Sequence, residues 1–159
     1  MSIPRLTFLS HFVICLACAA LAFFALINDV PQVIWANDQS YMTSVIGALF
    51  VGSAVYLGWR AWLVDDVLPQ HLGGAFKRVL QIDDIDPAYG HLAERLCVMA
   101  GFVGTAIGLS LQAKALAGGA TSFTALATSL FTTACGGTAA AVMAIMTFNL
   151  EAGISRARK

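Results

Sequence analysis

The chain has 159 residues, 58% of them hydrophobic and 11% charged, with nine basic and nine acidic side chains in balance. A soluble domain carries about 25% charged residues, so the excess apolar surface belongs in a lipid bilayer. Zero net charge gives no footing for a nucleic-acid partner.

Four segments are long enough to cross a hydrocarbon core of about 30 Å, which takes roughly 20 helical residues. They run from Leu6 to Ile27, Met42 to Val64, Leu96 to Leu116 and Ser122 to Leu150. None alternates as strands do, and lipid admits only helices or closed barrels, so an all-α integral membrane protein with four transmembrane helices is expected. The first segment is longer than the 7–15 apolar residues of a secretory signal and is therefore predicted to be a span. His11 interrupts it near one end and reads as an interfacial histidine. Cys15, Cys18, Cys97 and Cys135 all fall in apolar runs. The CxxC spacing of Cys15 and Cys18 has no ligand-rich surroundings, so structural cysteines, no metal and no other cofactor are predicted.

Four spans put both termini on one side, and eight of the nine basic residues fall on that side, Lys114 being the exception. The loop "NDVPQVIWANDQS" at 28–40 has no basic residue. Basic residues concentrate in cytoplasmic loops, which predicts an inner-membrane protein with both termini cytoplasmic. Trp35 and Tyr41 fit the outer aromatic belt, and Trp59 and Trp62 the inner one, where Arg60 can snorkel. The chain then divides into a peripheral helix pair (1–64), a short cytoplasmic connection (65–94) and a second helix pair with a cytoplasmic tail (95–159). Within the connection, "HLGGAFKRVLQ" predicts one brief helix. Asp83, Asp84 and Asp86 lack the central glycine and distal glutamate of a calcium loop and read as a solvated turn.

The third segment contains "GFVGTAIGLS", three glycines and two hydroxyls in ten residues. At ~100° per residue, Gly101, Thr105, Gly108 and Gln112 share a face, and Gly104 with Gly108 forms the GxxxG pattern of closely approaching helices. That stripe is predicted to border a hydrated path. In the fourth segment Thr121, Thr124, Thr128 and Thr132 share a face, with Ser129 and Thr133 to one side of it. The segment has about 29 residues, ~43 Å of helix, and must tilt or project into the cytoplasm. Gly101, Gly104, Gly108, Gly136 and Gly137 are the predicted helix-packing positions. Glycine and threonine stripes on this scale exceed what one four-helix protomer can bury, which predicts a ring.

"AGFVGTAIGLSLQ" followed by "ATSLFTTACGGTAAAVMAIMTFN" resembles the paired final helices of the MotA/TolQ/ExbB ion-channel family, over Ala100 to Asn149. The four-span layout is nearest to MotA, without its large cytoplasmic domain. The resemblance implies pore-lining threonines at Thr105 and Thr133. Thr128 stands where TolQ and ExbB types carry a glutamate, and "AAAVMA" lacks the family's proline. Thr128, Thr132 and Gln112 join the pore-lining set through their stripes. The resemblance further implies five copies around a single-span partner of the ExbD/TolR/MotB kind. That partner is a dimer carrying one membrane aspartate per chain, and H⁺ or Na⁺ flow through the complex is coupled to mechanical work.

Ionisable groups usually mark an ion route through a membrane, and the third and fourth segments contain no carboxylate. A small secondary transporter needs such a group, and an enzyme needs a nucleophile–base pair or metal cluster that is missing here, so no enzyme is expected. A holin-like or purely structural oligomer is the alternative that the composition permits.

Overall fold

The structure, a computed structural model, describes residues 6–29, 32, 41–67, 86–119 and 123–157. Among the described residues are four long helices: α1 (Leu6–Ile27), α2 (Met42–Val67), α3 (Ala88–Ala117) and α4 (Phe123–Ala157). All four are long and apolar enough to cross a membrane. The predicted helix in 71–81 falls outside the described residues, as do Trp35, Asp83, Asp84 and Thr121.

Two boundaries differ from those that hydropathy predicts. α3 starts at Ala88, so 88–94 is helix rather than connection, and α4 continues through the expected tail to Ala157. A run of lipid-compatible residues ends where charge begins, but a helix ends only where its backbone is stopped. At the α3 start the Asp86 carboxylate accepts the Ala88 N–H at 2.8 Å, and Pro87, at φ −71°, is already set for a helix. At its other end Gly118 N–H closes onto the Lys114 and Ala115 carbonyls, and Gly119, at φ +76°, turns the chain away. At 35 residues α4 is about 52 Å long, well beyond the hydrocarbon core.

The helices run up, down, up and down. The starts of α1 and α3 meet the ends of α2 and α4: Thr7 packs on Gly153, Gly90 packs on Thr147, and Asn149 Nδ2 donates to the Thr7 carbonyl at 2.9 Å. An apolar core fills this end, built from Leu57, Ala61, Val64, Ala93, Met143, Met146, Leu150 and Ile154. The far half is held differently, by the close approach of α3 to α4.

α1 is attached at one end only. Its buried residues are Thr7 and His11, whereas Leu21, Phe23 and Phe24 are exposed. His11, read from the sequence as interfacial, is held against α2: it is 4% exposed, lies over Gly58, and its Nε2–H donates to the Ala54 carbonyl at 3.0 Å. A side-chain donor in an apolar segment is thereby satisfied by a backbone acceptor of α2. The first turn of α1 is capped across the bundle, because the buried Asp65 carboxylate accepts the Phe8 N–H at 2.7 Å. A negative charge there also complements the positive end of the helix dipole. Asp65→Ala is expected to weaken this attachment by about 0.5–2 kcal/mol, the usual range for losing a cap. Faster hydrogen exchange at Phe8, with the α3 amides unchanged, is the readout; unchanged exchange at Phe8 contradicts the cap.

Candidate functional site

α3 and α4 share the most extensive contact in the molecule, and it is built from small residues. On α3 the inward face is Gly90, Ala93, Cys97, Gly101, Gly104 and Gly108, all buried. These recur at three- and four-residue spacings, the period of one helix face. A Cβ on Gly136 would stand 2.7 Å from the Cys97 carbonyl oxygen and 2.8 Å from Gly101 Cα. One on Gly104 would meet the Thr132 side chain at 2.7 Å, and one on Gly108 would stand 2.7 Å from Ser129 Cβ. The two backbones are therefore as near as glycine permits.

This seam divides the predicted pore residues. Thr128 and Thr132 are buried between α3 and α4, 2% and 0% exposed. The Thr132 hydroxyl donates within its own helix, to the Thr128 and Ser129 carbonyls at 3.0 and 3.1 Å. They do not line an open face of this chain: both are buried, and Gly104 of α3 sits directly against Thr132. Gly101 and Gly108 likewise pack against α4 instead of bordering a cavity. Gly137 does not pack within this chain, since among the described residues it is exposed with nothing within 4 Å of a Cβ. Gly101, Gly108, Thr128 and Thr132 are thus buried within one protomer, whereas Thr105 and Gln112 are half-buried and the Thr121 and Thr124 side chains lie outside the described residues.

Thr105 and Thr133 behave differently. Each lies about 80° to the side of the buried seam, and their hydroxyls hydrogen-bond to each other across it. Thr105 Oγ1 also lies 2.9 Å from the Gly101 carbonyl and 3.3 Å from that of Ser129, and Thr133 Oγ1 donates to Ser129 O at 2.9 Å. Thr105 is twelve residues from the end of α3, about 18 Å along the axis, which places it near mid-span.

The hydroxyl pair occupies the flank of the seam that, among the described residues, α1 and α2 leave uncovered. α2 faces α3 on the side of Leu92, Ala93 and Leu96, and Leu96 is nine residues from Thr105, about 180° around the helix. α1 approaches α4 at Met146 and Gly153, which lie about 140–160° around from Thr133. Phe102, Leu109 and Leu130 are exposed on the Thr105–Thr133 flank. Gln112, at nearly the same angle as Thr105, has a buried Oε1 that meets no donor among the described residues.

Two hydroxyls offer two protons and four lone pairs. The carbonyls and the mutual bond use both protons and leave lone pairs directed outward. By rotating, either hydroxyl can give up its carbonyl bond and donate outward instead. The pair can thus accept from a protonated acid or donate to an ionised one, at a depth where water is scarce.

At the Thr7 end of the same flank, His91 bridges the two helices. Its Nε2 lies 2.9 Å from Glu151 Oε1 and its Nδ1 3.6 Å from Glu94 Oε2. Sequence reasoning places both glutamates at helix ends but misses the histidine, which lies in the stretch that hydropathy assigns to the connection. Among the described residues no cluster of three His, Cys, Asp or Glu side chains is placed to hold a metal ion. The four cysteines are unbridged.

Comparison with protein-family models, with curated proteins and with solved structures finds no match for this chain.

Proposed function

We propose that this protein is the channel-forming subunit of an inner-membrane motor complex, one that couples H⁺ or Na⁺ flow to mechanical work. The observation that carries this is the Thr105–Thr133 hydroxyl pair: mid-span, on the flank that α1 and α2 do not cover, at the two positions where the sequence resembles the MotA/TolQ/ExbB family. The carboxylates described on α3 and α4 are Glu94 and Glu151, both toward the ends of those helices. An ion path past Thr105 therefore takes its ionisable group from another chain. A single-span protein of the ExbD/TolR/MotB kind, dimeric and carrying a membrane aspartate, supplies it. Five copies of this chain surround that partner with their α3–α4 flanks inward, which gives Phe102, Leu130 and the open Gln112 oxygen a neighbour. Both termini are cytoplasmic. The protein acts as a channel subunit and not as an enzyme.

A mid-membrane carboxylate is costly unless water or hydroxyls surround it, and this chain supplies the surroundings without the carboxylate. Purified chain in liposomes loaded with a pH- or sodium-sensitive dye is expected to pass no selective flux alone. Flux is expected once the aspartate-bearing partner is added, and is expected to vanish when that aspartate becomes asparagine. Selective flux from the chain by itself overturns the proposal, and leakage of large solutes points to a holin-like oligomer. Native mass spectrometry in mild detergent is expected to give a ring of five; a monomer at every concentration contradicts it.

A further inference from the structure

Arg60 lies two turns before the end of α2, at the Thr7 end of the bundle, and aromatic side chains fix its guanidinium. Its Nε–H donates to the Tyr56 hydroxyl at 2.9 Å. Its Cζ stands 5.2 Å from the Tyr56 ring centroid and 5.5 Å from that of Trp59. Tyr89 of α3 meets Tyr56 edge-on at 5.5 Å, so both helices contribute to the cage. Among the described residues no carboxylate pairs with this arginine. A guanidinium has five N–H donors in a planar fork suited to phosphate, and the Tyr56 bond uses one.

Beyond Tyr56 and Tyr89, toward mid-span, α2 and α3 part to leave an apolar groove of about 340 Å³. Gly52, Ser53, Leu57, Leu92 and Leu96 form its walls. Gly52 has nothing within 4 Å of a Cβ position, so the groove opens outward. From Tyr56 to Leu49 it covers seven residues, ~10 Å along the helix axis. The exposed Trp59 and Trp62 set the membrane–water boundary at the level of Arg60. A cation at headgroup depth thus stands at the mouth of an apolar slot that descends into the bilayer.

We infer that this is a binding site for an anionic phospholipid, with the headgroup phosphate on Arg60 and one acyl chain in the α2–α3 groove. A free phosphate satisfies the guanidinium and leaves the groove empty, whereas a lipid fills both. Basic pockets between membrane helices recognise acidic headgroups by this chemistry. The site lies on the opposite side of α3 from Thr105 and does not depend on the ion path.

The test is native mass spectrometry of the full chain titrated with phosphatidylglycerol or phosphatidylcholine. The wild type is expected to retain phosphatidylglycerol roughly fivefold more tightly than phosphatidylcholine, the preference one basic residue confers near an anionic surface. Arg60→Gln abolishes that preference and Arg60→Lys keeps part of it. Gly52→Leu, which fills the groove where nothing obstructs a side chain, lowers retention of both lipids with the preference intact. Equal preference in wild type and Arg60→Gln overturns the site. So does displacement of bound lipid by inorganic phosphate together with indifference to Gly52→Leu, which assigns recognition to a free anion alone.

Discussion

Gly136→Ala should destabilise the helix bundle, and Gly137→Ala, one residue along, should not. In isolation the two changes are equivalent, since alanine favours a helix over glycine by roughly 1 kcal/mol. The surroundings separate them. At Gly136 the added methyl would stand 2.7 Å from a backbone carbonyl and 2.8 Å from a backbone Cα of α3. No rotamer relieves that contact, so the helices must separate and Cys97, Gly101 and Thr132 lose packing with them. Overpacking of this kind costs about 1–3 kcal/mol. At Gly137 there is open space, and the helix-propensity gain should appear unopposed. Unfolding of the detergent-solubilised protein with increasing denaturing surfactant gives the comparison. The expected order of stability is Gly137→Ala at or above wild type, with Gly136→Ala clearly below. Equal midpoints for the two variants contradict the seam.

The largest functional effect is expected at the hydroxyl pair. Thr105→Val and Thr133→Val keep the shape of the side chain and remove the hydroxyl that, in the proposed channel, meets the ion or its carrier. The carbonyls they now contact are already bonded within their helices, so the fold is expected to survive each change. A hydrogen bond to a charged group contributes about 1.5–3 kcal/mol, which corresponds to roughly a 10- to 100-fold fall in partner-dependent flux. Thr138→Val is the control, since Thr138 is exposed on α4 about 140° around from Thr133. Assembly should be unaltered in all three variants, by mass spectrometry of the purified complex. Loss of assembly in parallel with loss of flux would assign Thr105 and Thr133 to packing instead.

The positions of the four long helices were legible because lipid demands long apolar runs, though not where α3 starts or α4 ends, and Gly101, Gly104 and Gly108 stood out by their spacing. What spacing withheld was the identity of the neighbour. Thr128 and Thr132 form as regular a stripe as any pore would need, yet both are buried within the chain, Thr132 against Gly104. The signal was the complement: hydroxyl side chains on α4 at the same period as missing side chains on α3. The α3 start was recoverable from Asp86–Pro87, a helix-start signal outweighed by the hydropathy boundary at Leu96. No local pattern announces His91 beside Glu151, sixty residues apart in the chain, because only the antiparallel packing of α3 and α4 joins them. Arg60, Tyr56 and Trp59, by contrast, lie within one helical turn and were half visible as an inner aromatic belt.

The loose attachment of α1 bears on how the protein is made. α1 is the most apolar of the four helices and the least buried, whereas α4, with its many hydroxyls, is the most buried. A helix that stands almost alone in lipid needs no companion to partition from the translocon, so α1 can settle in the bilayer while the rest is still being synthesised. α4 packs on the glycine face of α3, and only five residues separate the end of α3 at Ala117 from the start of α4 at Phe123, few enough for the two to enter as a hairpin. Insertion would then proceed by a greasy anchor first and a preassembled pair last, with α2 and the Asp65 cap joining one to the other.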